Sequence, residues 1–539
     1  MGVIVAVAAA LRILGIGWGL PDSTHLFSYQ PDEFFSLQAA LGLLRGDPNP
    51  HFFNYPSLYL YLAAAACMIA HGAAAETLAP EALLRAFTLD ARIVTVLLAL
   101  VTLIAAYGAA MRLGGRRAGL LAALLVAVAP GHVLYSHFAA VDVPLACFMT
   151  LAAWAGILLL DDQRWKTVLP AGLACGAAAA TKYNGALVLV VPLLYLALWA
   201  WRAPKPRPWR AALLRAGAIV LIAGLAFAVL SPYVFLDWPR ASQDIAFETR
   251  HMREGDPTKA ADPCGWHFQA RALAYAVGGP IPLTALLALF AVGCRATWPR
   301  SLPIVLLALA WYLMIGATSV RYARYALPLV PLLAVVAASP LSMASRLKPL
   351  VRATAALCAL GMLVASTALS GSLAFRPEPR DTALQHTKEA VPRGERIGVA
   401  RTIWFDMPPL DFVNGGDALG RMFAELRRPV RPLAVIPNFD AQALREERPP
   451  WFVESDFQTA DWLRSGDRKA AAFRQALEAQ YTLERAYSRT GWIATSRWGP
   501  VPHDFSYPFT TVRVWHLKGP EVGAETAGKG SVEADTSTH

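Results

Sequence analysis

Phe27-Ser28-Tyr29-Gln30-Pro31-Asp32-Glu33-Phe34-Phe35-Ser36 closely follows the first long apolar run of the chain, Val3 to Leu20, and the pairing of the two decides the fold. Adjacent carboxylates beside a bilayer are costly to desolvate, so Asp32-Glu33 next to a spanning segment needs a reason. The remainder of the sequence supplies the membrane. Of its 539 residues, 56% are hydrophobic and 16% charged, with a mean hydropathy of +0.40; an ordinary soluble domain carries about 25% charge. Polar residues are too few to cover a soluble protein of this size, which makes the chain a polytopic membrane protein.

The net charge of +11 does not indicate nucleic acid. Much of it sits in short clusters between apolar runs, such as Arg112 to Arg117 and Arg202 to Arg215, as cytoplasmic loops do. Cys67, Cys147, Cys175, Cys264, Cys294 and Cys358 offer no disulfide framework and read as small buried hydrophobes. The first apolar run lacks a basic leader and a small-residue cleavage site before Pro21-Asp22, so it reads as a retained first span.

Segments of spanning length lie near 2–20, 88–111, 118–136, 141–160, 211–231, 271–294, 302–318, 324–341 and 351–372. A further run, 167–201, is broken at Thr181-Lys182-Tyr183-Asn184-Gly185 and reads as two short spans with a turn carrying Lys182. Residues 56–74 are apolar enough to cross. The basic loops 112–117, 162–166, 202–215, 295–300 and 346–352 share one face, with the N-terminus inside, if 56–74 instead lies along the outer surface. The count is then about eleven spans, with the C-terminus outside. Three regions belong to domains of their own: a transmembrane domain over 1–372, an external α/β domain over 373–519, and a disordered polar tail over 520–539. Strand-like runs at Arg396–Ala400, Pro432–Pro437, Trp451–Glu454 and Thr510–Leu517 alternate with a helix near Asp467–Gln480. No internal repeat is visible.

The predicted outer face gathers charge. Asp32-Glu33 opens an amphipathic helix, Glu33 to Arg45. Tyr135-Ser136-His137 precedes Asp142-Val143-Pro144 in the second outer loop. Lys182 sits between two apolar half-length segments, and Arg321-Tyr322-Ala323-Arg324-Tyr325 begins a span on the side that disfavours arginine. Simpler readings exist for each: helix caps for the two aspartates, snorkelling for Lys182, lipid-headgroup binding for the arginines. Two independent carboxylates with cations on one side of one bundle point instead to a polar cavity. Such a set suits a lipid phosphate bearing a sugar. A polyprenyl phosphate leaves without a general acid once Lys or Arg neutralises its charge, and the acceptor hydroxyl needs a carboxylate base.

The order of these motifs resembles the GT-C superfamily of polyprenyl-phosphate-sugar-dependent glycosyltransferases. It is most similar to the branch of the protein O-mannosyltransferases and lipid A aminoarabinose transferases (glycosyltransferase family 39-like). Matching motifs are Pro31-Asp32-Glu33, Asn54-Tyr55-Pro56-Ser57-Leu58, Arg116-Arg117 with Pro130, Asp142 to Leu145, Gly172 to Gly176 with Thr181-Lys182-Tyr183, and Arg324-Tyr325 with Pro328. The resemblance covers roughly residues 10–340 and implies a membrane enzyme of a bacterial-type inner membrane with a periplasmic C-terminal domain. It implies Asp32 as catalytic base in a direct inverting displacement, with Glu33 orienting it or a substrate hydroxyl. It further implies Asp142 as acceptor-positioning carboxylate, and Lys182 and Arg324 with Tyr325 as donor-phosphate ligands. The aminoarabinose type carries a Lys where Asn54-Tyr55 stands here, so one phosphate contact is expected to be lost, or moved to His51 or Arg321 as substitutes.

No extra Asp-x-Asp motif marks the outer loops, and no metal or other cofactor is expected. His25, His51, His132 and His137 fit no zinc spacing; His137, near Asp142, is the strongest candidate among them. Tyr29, Tyr55, Tyr59 and Trp266 are candidate sugar contacts or members of an interfacial aromatic belt. The expected partners are a polyprenyl-phosphate sugar, membrane lipids, and a lipid, glycan or protein acceptor. Alternatives are a transporter or flippase for lipid-linked sugar, a polysaccharide polymerase or ligase, and a non-enzymatic scaffold, which leaves Asp32, Asp142 and Lys182 unexplained. The C-terminal domain is expected to help choose the acceptor.

Overall fold

The computed structural model describes residues 1–72, 78–255, 262, 264–342, 348–489 and 499–519; the tail from 520 lies outside them. The protein is a polytopic helical membrane protein with a sheet-bearing C-terminal domain. Among the described residues, six helices are long and apolar enough to cross a membrane: Pro80–Ala127, Tyr183–Arg202, Trp209–Leu230, Pro280–Thr297, Ala323–Leu341 and Lys348–Ala390. The shorter apolar helices are Gly2–Ile13, Leu58–His71, Asp142–Leu158 and Leu302–Ala317. Trp209–Leu230 exposes Leu213, Leu214, Leu221, Leu225 and Val229, as a lipid-facing helix does, whereas residues 329–338 are buried throughout at the centre of the bundle.

The 48 residues of Pro80–Ala127 would run about 72 Å as one straight helix, more than twice the hydrocarbon core. They do not. The backbone leaves helical geometry at Gly114 and at Gly115, where φ is +76°, a conformation that suits glycine. Gly119 then packs so tightly on Tyr107 that a Cβ there would meet the Tyr107 carbonyl oxygen at 2.8 Å. Residues so far apart in sequence touch only if the chain doubles back. The element is a helical hairpin with Arg112, Arg116 and Arg117 at its turn.

Three expected spans are revised. The run 2–20 is helical only to Ile13, and 271–294 is divided between Gly265–Ala276 and Pro280–Thr297. Gly278 and Gly279, at φ +91° and +127°, followed by Pro280, make the second break. Hydropathy sums over side chains and is blind to such backbone turns. The expected second arm, 118–136, likewise ends at Ala127 before a short helix, Pro130–Tyr135. The break at Lys182 is as expected: one helix ends at Thr181, and a 3-10 turn, Tyr183–Leu189, starts the next. Two cysteines also differ from expectation. Cys264 is exposed and Cys294 half-buried, while the other four are buried.

The basic segments meet at one end of the bundle. Arg112 Nη1 lies 3.5 Å from Asp161, Arg215 Nε donates to the Gln163 carbonyl at 2.8 Å, and the Tyr195 hydroxyl donates to the Arg300 carbonyl at 2.8 Å. The C-terminal domain and the first loop meet at the other end. There the backbone N–H of Phe27 donates to Asn414 Oδ1 at 2.9 Å, and Trp18 Nε1 donates to Glu378 at 2.7 Å.

The C-terminal sheet has five strands: β1 (Ile397–Val399), β2 (Leu433–Val435), β3 (Trp451–Ser455), β4 (Tyr481–Ser488) and β5 (Thr511–Leu517). Their order is β2-β1-β3-β5-β4. β1 pairs in parallel with β2 and β3, and β5 runs antiparallel to β3 and β4. Every residue of central β3 is buried, which fits a strand covered on both faces. β4 was not legible in the sequence. It is an edge strand with mostly exposed residues, so the apolar alternation that marks a half-buried strand is missing.

Candidate active site

Helix Pro31–Leu44 begins at the site, and its N-cap is Gln30, whose side chain accepts from the backbone N–H groups of Asp32 and Glu33. Asp32 is therefore spared capping duty and its carboxylate is available. It faces Arg324, which projects from a 3-10 turn, Ala323–Ala326. Arg324 Nη1 lies 3.1 Å from Asp32 Oδ2, and its Nη2 donates to Asp32 Oδ1 at 3.3 Å. Its Nε is 3.5 Å from Asp142 Oδ2. Lys182 Nζ in turn donates to Asp142 Oδ1 at 3.0 Å. Asp32, Arg324, Asp142 and Lys182 thus form one chain of ion pairs, drawn from four separate elements.

Burial is uneven along that chain. The side chain of Asp32 is 23% exposed, that of Asp142 only 3%. Asp142 is neutralised by two cations, as a desolvated carboxylate must be. Asp32 keeps access to the outside. Lys182 also sits over the Tyr325 ring at 4.3 Å and the Tyr55 ring at 5.6 Å, contacts that stabilise a cation.

Lys182, Tyr55 and Tyr325 line a cavity of about 520 Å³, together with Asn54, Glu248 and Arg253. Glu248 accepts from Asn54 Nδ2 at 3.5 Å. A second, apolar hollow of about 400 Å³ is lined by Cys175, Ala179, Leu189, Val220 and Phe227, and shares Tyr183 with the first. A cavity bearing the charged groups Lys182, Glu248 and Arg253 among apolar walls therefore adjoins an apolar hollow at Tyr183.

Other residues of the expected site lie elsewhere. Glu33 is buried and saturated: Arg92 donates to both of its oxygens at 2.7 and 2.8 Å, and Ser28 and the Ala139 N–H add two more bonds. Both ring nitrogens of His137 lie on backbone carbonyls, of Val133 at 2.8 Å and Leu14 at 2.9 Å. Tyr29 is buried against the C-terminal domain, bonded to Asp381 and covered by the Arg380 guanidinium at 4.0 Å. His51 is exposed, 3.0 Å from Asp47 and 3.5 Å from Asp237. Arg321 donates to the carbonyls of Asp262 and Thr318. Tyr59 bonds to Ala91 and Thr95 inside the bundle.

Sequence reasoning missed Asp504. This residue of the C-terminal domain is fully buried in the same cluster, 3.8 Å from Arg324 Nη1. It accepts from the N–H groups of Ala323 at 2.8 Å and Arg324 at 3.0 Å, and from the Tyr135 hydroxyl at 2.7 Å. Tyr507 is also buried nearby, and burial with Asp32 close at hand pushes its phenol up, so it stays protonated at neutral pH. The only sequence signal was local: Pro502-His503-Asp504-Phe505 repeats the mixture of proline, acid and aromatic found around Asp32. Arg324 lies among the three carboxylates, and among the described residues no group of three His, Cys, Asp or Glu is placed to hold a metal.

Residues 82–234 match the sequence model of the dolichyl-phosphate-mannose-protein mannosyltransferase family. The structure of ArnT from Cupriavidus metallidurans bound to undecaprenyl phosphate superposes with a TM-score of 0.53 at 15% identity, covering 95% of this chain and 97% of that one. The apo form of the same protein gives 0.52. AglB, the oligosaccharyltransferase of Archaeoglobus fulgidus, gives 0.46 at 14% identity over 94% of this chain and 76% of that one. No curated protein matches by sequence. The chain shares the fold of ArnT: a polytopic membrane bundle followed by a C-terminal domain containing a sheet.

Proposed function

We propose that the protein is a membrane glycosyltransferase that moves a sugar from a polyprenyl-phosphate donor to an acceptor hydroxyl by direct inverting displacement. The observation that carries this reading is the run of ion pairs from partly exposed Asp32 through Arg324 and Asp142 to Lys182, ending at a cavity beside an apolar hollow. The hollow suits a prenyl tail, and the cavity suits a phosphate with its sugar. A relative in fold, ArnT, has been seen with undecaprenyl phosphate. In the reaction, Asp32 takes the proton of the acceptor hydroxyl as its oxygen attacks the anomeric carbon. The bond from that carbon to the phosphate oxygen breaks, and its electrons stay on the phosphate, where Lys182 and Arg324 neutralise the charge. The basic end of the bundle faces the cytoplasm and the site faces outward. No metal takes part in this scheme.

The test is transfer from a panel of radiolabelled polyprenyl-phosphate sugars by the purified protein in lipid. Transfer to an acceptor hydroxyl with inverted anomeric configuration is the expected result. If no donor reacts while lipid-linked sugar moves between leaflets, the protein is a transporter and the reading is wrong. A second expectation concerns Lys182. Charge-assisted bonds are worth about 1.5–3 kcal/mol, so Lys182→Met raises the donor KM by about tenfold or more. An unchanged donor KM removes Lys182 from the phosphate site.

A further inference from the structure

Asp504 is unusual for a residue outside the membrane bundle. It is fully buried, it comes from a 3-10 turn, His503–Phe505, and its two oxygens accept from the consecutive N–H groups of Ala323 and Arg324. Those N–H groups open the 3-10 turn Ala323–Ala326 and have no partner inside it. An acceptor from another domain therefore fixes the backbone from which the Arg324 side chain departs. The hydroxyl of Tyr135, from the second outer loop, holds Asp504 in turn. The same carboxylate balances the guanidinium from 3.8 Å. A buried aspartate with this much invested in hydrogen bonding is costly unless all its partners are present.

We propose that Asp504 is a positioning residue of the active site: the C-terminal domain reaches into the bundle and sets the Arg324 arm between Asp32 and Asp142. The assignment rests on the glycosyltransferase reading. The domain is then part of the catalytic centre and not an appendage that only meets the acceptor. Asp504 touches no substrate in this scheme; it acts through Arg324.

The experiment is a double-mutant cycle on the full-length protein in lipid, reading kcat and donor KM for wild type, Asp504→Asn, Arg324→Ala and the double variant, with Tm measured on each. Asparagine keeps one acceptor for the Ala323 N–H but presents an amide to Arg324. The expected result is a fall in kcat of tenfold or more for Asp504→Asn, a donor KM changed by less than threefold, and no further fall in the Arg324→Ala background. Losses that multiply in the double variant, or wild-type kcat in Asp504→Asn, overturn the proposal. Should either variant fail to fold, Tyr135→Phe decides. It removes the phenol that holds Asp504 and leaves every charge in place, so kcat drops several-fold at constant donor KM; an unchanged kcat overturns the assignment. A wild type that transfers no sugar overturns the function itself and is told apart by that control.

Discussion

On the proposed glycosyltransferase reading, Asp32→Asn is expected to stop sugar transfer while the protein stays folded and still binds its donor. The substitution removes the only carboxylate of the three around Arg324 that keeps appreciable exposure, 23% against 3% and 0% for Asp142 and Asp504. Arg324 does not become an orphan, because Asp142 and Asp504 remain to balance it, and the N-cap of the helix belongs to Gln30. Stability should therefore move little. Loss of a general base costs roughly 10²–10⁴-fold in kcat, or about 3–5 kcal/mol of barrier. The measurement is kcat and donor KM on the purified protein in lipid, with donor affinity determined separately. A kcat within threefold of wild type excludes Asp32 as the base.

The other large effect is on stability. Arg92→Ala leaves Glu33 buried with its charge uncompensated. Breaking such a pair from one side costs about 3–5 kcal/mol, a large part of what holds any domain together. Arg92 also donates to the carbonyls of Ile16 and Trp18 at 2.6 and 2.7 Å, and Glu33 accepts from the Ala139 N–H at 2.8 Å. The pair thus ties the end of the first helix, the first loop and the second outer loop into one frame around Asp32. Arg92→Ala is expected to accumulate poorly and to melt well below wild type. Glu33→Gln is milder: an amide still offers one acceptor to Arg92, and the folded fraction retains transfer within tenfold. Glu33→Gln with wild-type Tm and a kcat lowered a thousandfold would mean that Glu33 takes part in the chemistry itself.

Much of the candidate ion-pair cluster was legible for a reason specific to membranes. Asp32, Asp142, Lys182 and Arg324 stand out because charge at the edge of a long apolar run is expensive and therefore rare. The same reasoning raised Glu33, His137 and Arg321, which the structure gives other partners: Arg92 for Glu33, and backbone carbonyls for His137 and Arg321. Sequence spacing finds polar groups near an active site, but it does not distinguish a group facing the cavity from one facing the protein. Tyr29 makes the point. Two residues from Pro31, it points to Asp381 across a sequence gap of 352 residues. Asp504 escaped notice for the opposite reason. In a polar domain an aspartate has no contrast with its neighbours, and its closeness to Arg324 arises only when the domain docks.

By itself, then, the sequence determined the class of the protein: its apolar runs demand lipid, its basic clusters mark one end of the bundle, and its charges beside apolar runs mark the other. These are properties of local composition, which hydration energy reads directly. The tertiary structure alone decided that the hairpin turns at Gly114-Gly115, and that Glu33 belongs to Arg92. It also brought Asp504 in to complete the cluster around Arg324. Those outcomes depend on backbone torsions and on contacts between distant segments, where short-range hydrogen bonding and the cost of an unpaired buried charge select one arrangement among many that hydropathy treats alike.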